Sequence, residues 1–176
     1  MPTIENYLNV TDSNIVEPSV QLSSLAIGSS VEDLSFLEYR FKEAKWTLYT
    51  EHTYREALRE LSLNRMPVVF CEYPLPDGNW KEVLGHLAPM PDRPRLIVFS
   101  RRADESLWAE VLNLGGFDLL ATPFREAELL LTIGSAWLDW MKELERQPLR
   151  KRYHAIMGSS TIFEKSQPPR QVAART

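Results

Sequence analysis

The apolar residues of this chain fall into short continuous runs that alternate with stripes at helical spacing. Runs at residues 25–27, 46–49, 67–71, 95–100 and 117–121 predict five strands. Between them, apolar positions three or four residues apart predict amphipathic helices. These stripes comprise Val31, Leu34, Leu37 and Phe41; Tyr54, Ala57, Leu58 and Leu61; Trp80, Val83, Leu84 and Leu87; and Leu107, Val111 and Leu114.

The alternation predicts an α/β fold. Strands joined by right-handed helical crossovers form a doubly wound parallel sheet with helices on both faces, and five strands favour the flavodoxin-like order 2-1-3-4-5. The three layers would cover the near-continuous apolar strands on both sides. Functional groups in such folds gather at the carboxyl ends of the strands. Those ends are residues 28–30, Glu72, Ser100 and Thr122.

Composition indicates one core and a reducing environment. The chain has 176 residues, of which 44% are hydrophobic, enough for one substantial domain. Its single cysteine, Cys71, lies inside an apolar run, so we expect a buried thiol and no disulfide. Neither a signal peptide nor a membrane span is visible in the sequence. We therefore expect a cytoplasmic protein.

Charge and helix breakers divide the chain into four predicted parts. These are a flexible arm over residues 1–22, a domain over 23–138, an extension of the last helix over 139–147 and a basic tail over 148–176. The helix is expected to end at Gln147 because proline 148 interrupts its hydrogen bonds. Residues 146–176 carry seven Lys or Arg and one acid, about +6, so the rest carries about −10. The acidic body argues against nonspecific nucleic-acid binding by the domain itself.

The last helix carries apolar residues beyond the length that a sheet of this size needs. Leu130, Ile133 and Trp137 form its first stripe, and Trp140, Met141 and Leu144 continue it. These later residues require a cover. The arm, a second copy of the chain and a partner protein are the three alternatives.

Three segments resemble the signatures of the response regulator receiver domains, the CheY-like superfamily, in the correct order. They are Cys71-Glu-Tyr-Pro-Leu-Pro-Asp-Gly78, Ile97-Val-Phe-Ser100 and Leu114-Gly-Gly-Phe-Asp-Leu-Leu-Ala-Thr-Pro-Phe124. In the family, an Asp at the end of the third strand accepts a phosphoryl group. Glu72 stands at that position here. The resemblance also implies a cis bond between Thr122 and Pro123.

The remaining receiver positions depart from the family pattern. Ser29 and Ser30 replace the two acids that bind Mg²⁺, and hydroxyls are poor ligands for that hard cation. Thr122 replaces the phosphate-binding Lys, and Leu119 replaces the aromatic switch residue. Ser100 alone retains the family type. Mg²⁺ binding is thus predicted to be lost, and we assign neither a catalytic residue nor a metal site. We interpret the acids at 32 and 33 as stabilising a helix start, where Ser30 fits the cap.

The resemblance implies a degenerate member, or pseudo-receiver, of bacterial two-component or phosphorelay signalling that works by protein–protein interaction and is not an enzyme. The expected contact surface is the fourth helix, fifth strand and fifth helix, with a second copy as one possible partner. Its proposed residues are Trp108, Trp137, Trp140, Met141 and Leu144. Two alternatives are a nucleic-acid-associated regulator that uses the basic tail, and a slow phosphoacceptor at Glu72. For Glu72 itself, a mimic of phospho-Asp and a solvent-facing loop acid both remain open.

Overall fold

The computed structural model describes the backbone of residues 22–163 and the side chains of residues 22–147. Five parallel strands form one sheet in the order β2-β1-β3-β4-β5, which confirms the predicted fold class. The strands are β1 (Ser23–Ile27), β2 (Thr47–Glu51), β3 (Val68–Glu72), β4 (Arg95–Ser100) and β5 (Asp118–Ala121). The helices are α1 (Val31–Glu43), α2 (Tyr54–Leu63), α3 (Trp80–Leu87), α4 (Glu105–Leu114) and α5 (Glu126–Phe163).

The sheet has an apolar cluster on each face. Successive side chains of a strand point to opposite faces, so Leu25 and Ile27 join one cluster while Ala26 joins the other. Helices α2, α3 and α4 cover the first cluster, and α1 and α5 cover the second. Cys71 is fully buried in the first, as predicted, and burial raises the pKa of its thiol well above its ordinary value.

Side-chain caps define where the first four helices begin. Ser30, Thr53, Asn79 and Asp104 each accept a hydrogen bond from a backbone N–H in the first turn of the helix that follows. Such caps satisfy donors that the helix itself leaves unpaired. The N-cap role of Ser30 expected from the sequence is confirmed, and it places the β1–α1 connection at residues 28–30.

The last helix is longer than the sequence predicts. Helix α5 continues through proline 148 to Phe163, so the predicted end at Gln147 is wrong. A proline removes one hydrogen bond of the ladder, and the strong helix formers Leu, Arg and Lys that follow keep the remainder favourable. The first compact unit of the chain ends at Trp140 and the second begins at Met141. The described part of the second unit is the C-terminal portion of this helix.

Trp140 is part of the fold and does not form an external surface. It is 1% exposed, its indole N–H donates to the Asp92 carbonyl at 3.1 Å, and the Arg65 guanidinium lies 5.0 Å from its ring centre. Trp137 stacks on it at 5.6 Å between ring centres and packs on the core shared with α1. The prediction that Trp140 anchors a partner is therefore wrong, because the loops before β3 and β4 cover it.

Met141 and Leu144 are each partly buried. Their assignment to an interface stays a prediction. Within residues 22–163, no helix combines the length and the apolar character needed to cross a membrane.

Candidate functional site

The residues predicted at the strand ends lie along one edge of the sheet. Ser29 and Ser30 follow β1, Glu72 ends β3 and Ser100 ends β4. Thr122 follows β5, and its N–H donates to the Ser100 carbonyl at 3.1 Å. We call these five residues the strand-end pocket.

The Glu72 side chain bridges β3 and the start of α1. Its Oε2 accepts hydrogen bonds from the Ser29 N–H, from the Ser30 N–H at 3.1 Å and from the Ser29 hydroxyl at 3.2 Å. A carboxylate is well placed there, since unpaired N–H groups and the helix dipole both favour an anion at a helix N-terminus. The hypothesis of a solvent-facing loop acid is thus wrong, because Glu72 is half-buried and held by three donors.

Gly28 provides the space that this bridge needs. A Cβ atom at residue 28 would lie 2.8 Å from the Glu72 Oε2 and 3.2 Å from both the Glu72 Cβ and the Phe99 ring. Side-chain carbon atoms do not approach other atoms at 2.8 Å without displacement. The glycine and the glutamate are therefore a matched pair, which the sequence alone does not reveal.

The Ser100 hydroxyl is hydrogen-bonded to the backbone and not to Glu72. The hydroxyl is buried, donates to the Tyr73 carbonyl at 2.7 Å and accepts from the Arg102 N–H at 3.0 Å. These two bonds fix the loop after β4 to the loop after β3. Ser100 retains the family residue type, and its only proton is donated to the backbone.

The two β5 positions that correspond to receiver residues carry uncharged side chains. Thr122 is 9% exposed, and its hydroxyl has no hydrogen-bond partner among the described residues. Leu119 is 8% exposed and belongs to the core cluster beneath α2, α3 and α4. The bond between Thr122 and Pro123 is cis, as the resemblance implied, and the Tyr73–Pro74 bond is also cis.

Arg101 reaches across the pocket to the first turn of α1. Its Nη2 donates to the Glu32 carboxylate at 2.9 Å, and its Nε lies 3.9 Å from the Asp33 Oδ2. The hydrogen bond to Glu32, followed by the negative charges of Asp33, Glu32 and Glu72, raises the pKa of Arg101. Asp33 is 2% exposed, so its buried carboxylate gains from a nearby cation. Our sequence reasoning missed Arg101; the signal was a basic residue directly after Ser100.

The similarity search over solved structures found receiver domains. The signal receiver domain of an HD domain-containing protein from Pseudomonas fluorescens Pf-5 has 23% identity and a TM-score of 0.68, covering 76% of this chain and 99% of its own. The beryllofluoride-activated NtrC4 receiver domain dimer has 23% identity and a TM-score of 0.62, covering 67% and 98%. An adenylate cyclase from Rhodopirellula baltica has 16% identity and a TM-score of 0.67, covering 75% and 98%. The chain has the receiver fold. No family model and no curated protein matches the sequence.

The strand-end pocket does not fit the Mg²⁺ ion that receivers bind. Hydroxyls occupy positions 29 and 30, and the Glu72 oxygen that faces them already accepts three hydrogen bonds. Mg²⁺ demands several oxygen ligands in octahedral geometry. Among the residues that the structure describes, no three His, Cys, Asp or Glu side chains are arranged to hold a metal.

Helix α4 buries only Val111 fully, whereas Trp108 is 47%, Leu112 36% and Leu114 52% exposed. Trp108 and Leu112 lie one turn apart, and we call these two residues the α4 surface. Leu114 was predicted to lie in a buried stripe, but it occupies the last helical position before Gly115, which turns the chain with a φ of 97°.

Trp108 is held in place although it is exposed. Its indole N–H donates to the Asp118 carboxylate of β5 at 3.0 Å, which fixes the ring beside the edge strand. Leu112 follows one turn later and therefore neighbours it on the helix surface. The sequence pointed to Trp108 as an anchor and did not identify Leu112. On α5, Leu131 and Leu138 are also exposed, seven residues apart on the side opposite the core.

Proposed function

We propose that this protein is a pseudo-receiver that acts in two-component or phosphorelay signalling in the bacterial cytoplasm, by binding a protein and without accepting a phosphoryl group. The observation that carries this proposal is the Glu72 carboxylate, which occupies the phosphoacceptor position and is hydrogen-bonded to Ser29 and Ser30. The role is non-enzymatic: the pocket then supports the fold, and a surface elsewhere carries the signal.

Two features of the pocket disfavour phosphoryl transfer to Glu72. The Oε2 atom is held by three hydrogen-bond donors, and the uncharged Thr122 stands at the position of the family Lys. Phosphoryl transfer depends on positioning and on charge neutralisation by metal and cation. Both requirements argue against a slow phosphoacceptor role.

The α4 surface is the proposed contact site for a protein partner. Trp108 combines a large apolar ring, a fixed orientation and 47% exposure, and tryptophan is the residue type most enriched among energetically dominant interface residues. Neighbouring exposed apolar side chains of this kind often mark a protein interaction site. The NtrC4 receiver domain forms a dimer, and a second copy of this chain is the first partner to test.

Sedimentation velocity of the full chain tests the proposal. We expect the wild type to associate at micromolar concentration, with the same sedimentation coefficient with or without acetyl phosphate and Mg²⁺. Replacing both Trp108 and Leu112 by Ala should abolish association. Leu131→Ala, on α5, is the matched control for the loss of an exposed apolar side chain. Association that appears only with acetyl phosphate would contradict the proposal.

A further inference from the structure

The Glu72 carboxylate is bound by one side of the strand-end pocket only. All three of its side-chain hydrogen bonds come from Ser29 and Ser30, on the β1–α1 connection. Among the described residues, no hydrogen bond joins it to Ser100 or Thr122 on the β4 and β5 side. An acid that mimicked a bound phosphoryl group would have to contact Ser100 or Thr122, because the β4 side of the pocket connects to α4.

The loop between β4 and α4 has its own fixed contacts. Ser100 is satisfied by the Tyr73 carbonyl and the Arg102 N–H, and Arg101 pairs with Glu32 and Asp33. The charged group of this loop thus finds its counter-charges in the first turn of α1. Ser100 and Arg101 are thus held by groups of this chain, and so is the Oε2 atom of Glu72.

We propose that Glu72 is a permanent internal ligand of the α1 N-terminus that stabilises the domain and leaves the α4 surface unchanged. It replaces a bound anion structurally but is not a phosphomimetic. Arg101, which follows β4, forms separate ion pairs with the same first turn of α1. This inference rests on the proposed function, in that it explains how the α4 surface keeps one conformation without phosphorylation.

Three substitutions at residue 72 separate hydrogen bonding from charge. Glu72→Gln keeps an oxygen acceptor and removes the charge, so it should lose less stability than Glu72→Ala. Glu72→Ala removes the acceptor, and we expect its melting temperature to fall by about 5 °C, since hydrogen bonds to a charged acceptor are among the stronger ones in a protein. Glu72→Asp keeps the charge but is one methylene shorter, so it should resemble Ala. Glu128→Ala, an exposed acid in the first turn of α5, is the matched control for charge removal.

Restoration by a small carboxylate tests the internal ligand directly. The N–H groups of Ser29 and Ser30 remain in Glu72→Ala, so acetate should raise the melting temperature of that variant above the increase seen for the wild type. Formate is the smaller probe and should act in the same way. An equal response of the variant and the wild type to acetate would overturn the assignment of Glu72 as a ligand.

Amide and indole NMR resonances of Glu72→Gln test the separation from α4. We expect the Ser29 and Ser30 amide resonances to shift, while the Trp108 indole resonance and the Leu112 amide stay in place. A Trp108 indole shift as large as that of Ser29 would show that the acid sets the state of the α4 surface, and the inference would be overturned. Association that does not depend on acetyl phosphate would still support the proposed function in that case, so the two can fail separately.

Discussion

The strand-end pocket and the α4 surface differ in whether their side chains have partners within the chain. In the pocket, Glu72 and Ser100 are paired with groups of the same chain, and Arg101 beside them is paired with acids of α1. On α4, Trp108 and Leu112 expose apolar surface that no described residue covers. The family resemblance draws attention to the pocket, where these polar groups have partners within the chain. The difference teaches that the motif positions and the exposed apolar surface of this fold lie in different places.

Replacing Trp140 should have the largest effect on stability. It tests whether Trp140 belongs to the core while Trp108 of α4 lies at the surface. Trp140→Ala removes a buried ring that also donates to Asp92 and contacts Arg65, so we expect a loss of about 3–5 kcal/mol in the free energy of unfolding. Denaturant titration measures it. Trp108→Ala is the matched control. An equal loss of unfolding free energy in the two variants would contradict the assignment of Trp140 to the core and Trp108 to the surface.

Gly28→Ala should have the next largest effect, because it perturbs the pocket without removing the acid. The added methyl group would meet the Glu72 Oε2 at 2.8 Å, and we expect a loss of about 1–3 kcal/mol in the free energy of unfolding. Gly85→Ala is the control, since a Cβ there has no atom within 4 Å and a helical Gly→Ala change is stabilising by about 0.5–1 kcal/mol. In a Glu72→Ala background the cost of Gly28→Ala should decrease, because its closest contact is gone. Additive losses would show that the two residues are not coupled.

Arg101→Ala should lower the melting temperature by a smaller amount. The loss comes from the buried Asp33, whose neighbouring cation disappears, since the pair with Glu32 is exposed and contributes little. Glu32→Ala removes the exposed pair alone and should be close to neutral. Added salt should change the Glu32→Ala difference more than the Arg101→Ala difference, because buried charges are screened less. Identical melting temperatures of the two variants would contradict the tie between Arg101 and Asp33.

Trp108→Ala should have the smallest effect on folding and the greatest on association. The ring is 47% exposed, so its removal should cost less than about 1 kcal/mol of unfolding free energy. The same change should weaken self-association or partner binding at least about tenfold, the scale of an interface residue that contributes more than about 1.4 kcal/mol. Isothermal titration measures the affinity. Unchanged affinity together with reduced stability would show that Trp108 supports folding and does not contact a partner.

The sequence predicted the fold class because apolar runs and helical stripes report burial on both faces of a sheet. It also placed Cys71 in the core and Ser30 at a helix cap, since each depends on neighbouring residues. The burial of Trp140 was not predicted, because it depends on the Arg65 and Asp92 loops, which are distant in sequence.

The sequence predicted which residues lie at the candidate site. It did not predict which groups they contact. The family motifs located Glu72 and Ser100, but the partners of a side chain depend on its direction in three dimensions. The pairing of Glu72 with Ser29 and Ser30 spans 43 and 42 residues, and that of Arg101 with Glu32 spans 69. No periodicity encodes such distant pairs. The exposure of Leu114 likewise depends on the left-handed turn at Gly115 that ends α4.

The intact mass of the protein after incubation with acetyl phosphate and Mg²⁺ tests the central claim most directly. Because the pocket does not fit Mg²⁺, Thr122 replaces the family Lys and three donors hold the Glu72 Oε2, the account predicts an unchanged mass. A gain of one phosphoryl group that disappears in Glu72→Gln would contradict it, and would show that the pocket still carries the chemistry of its fold.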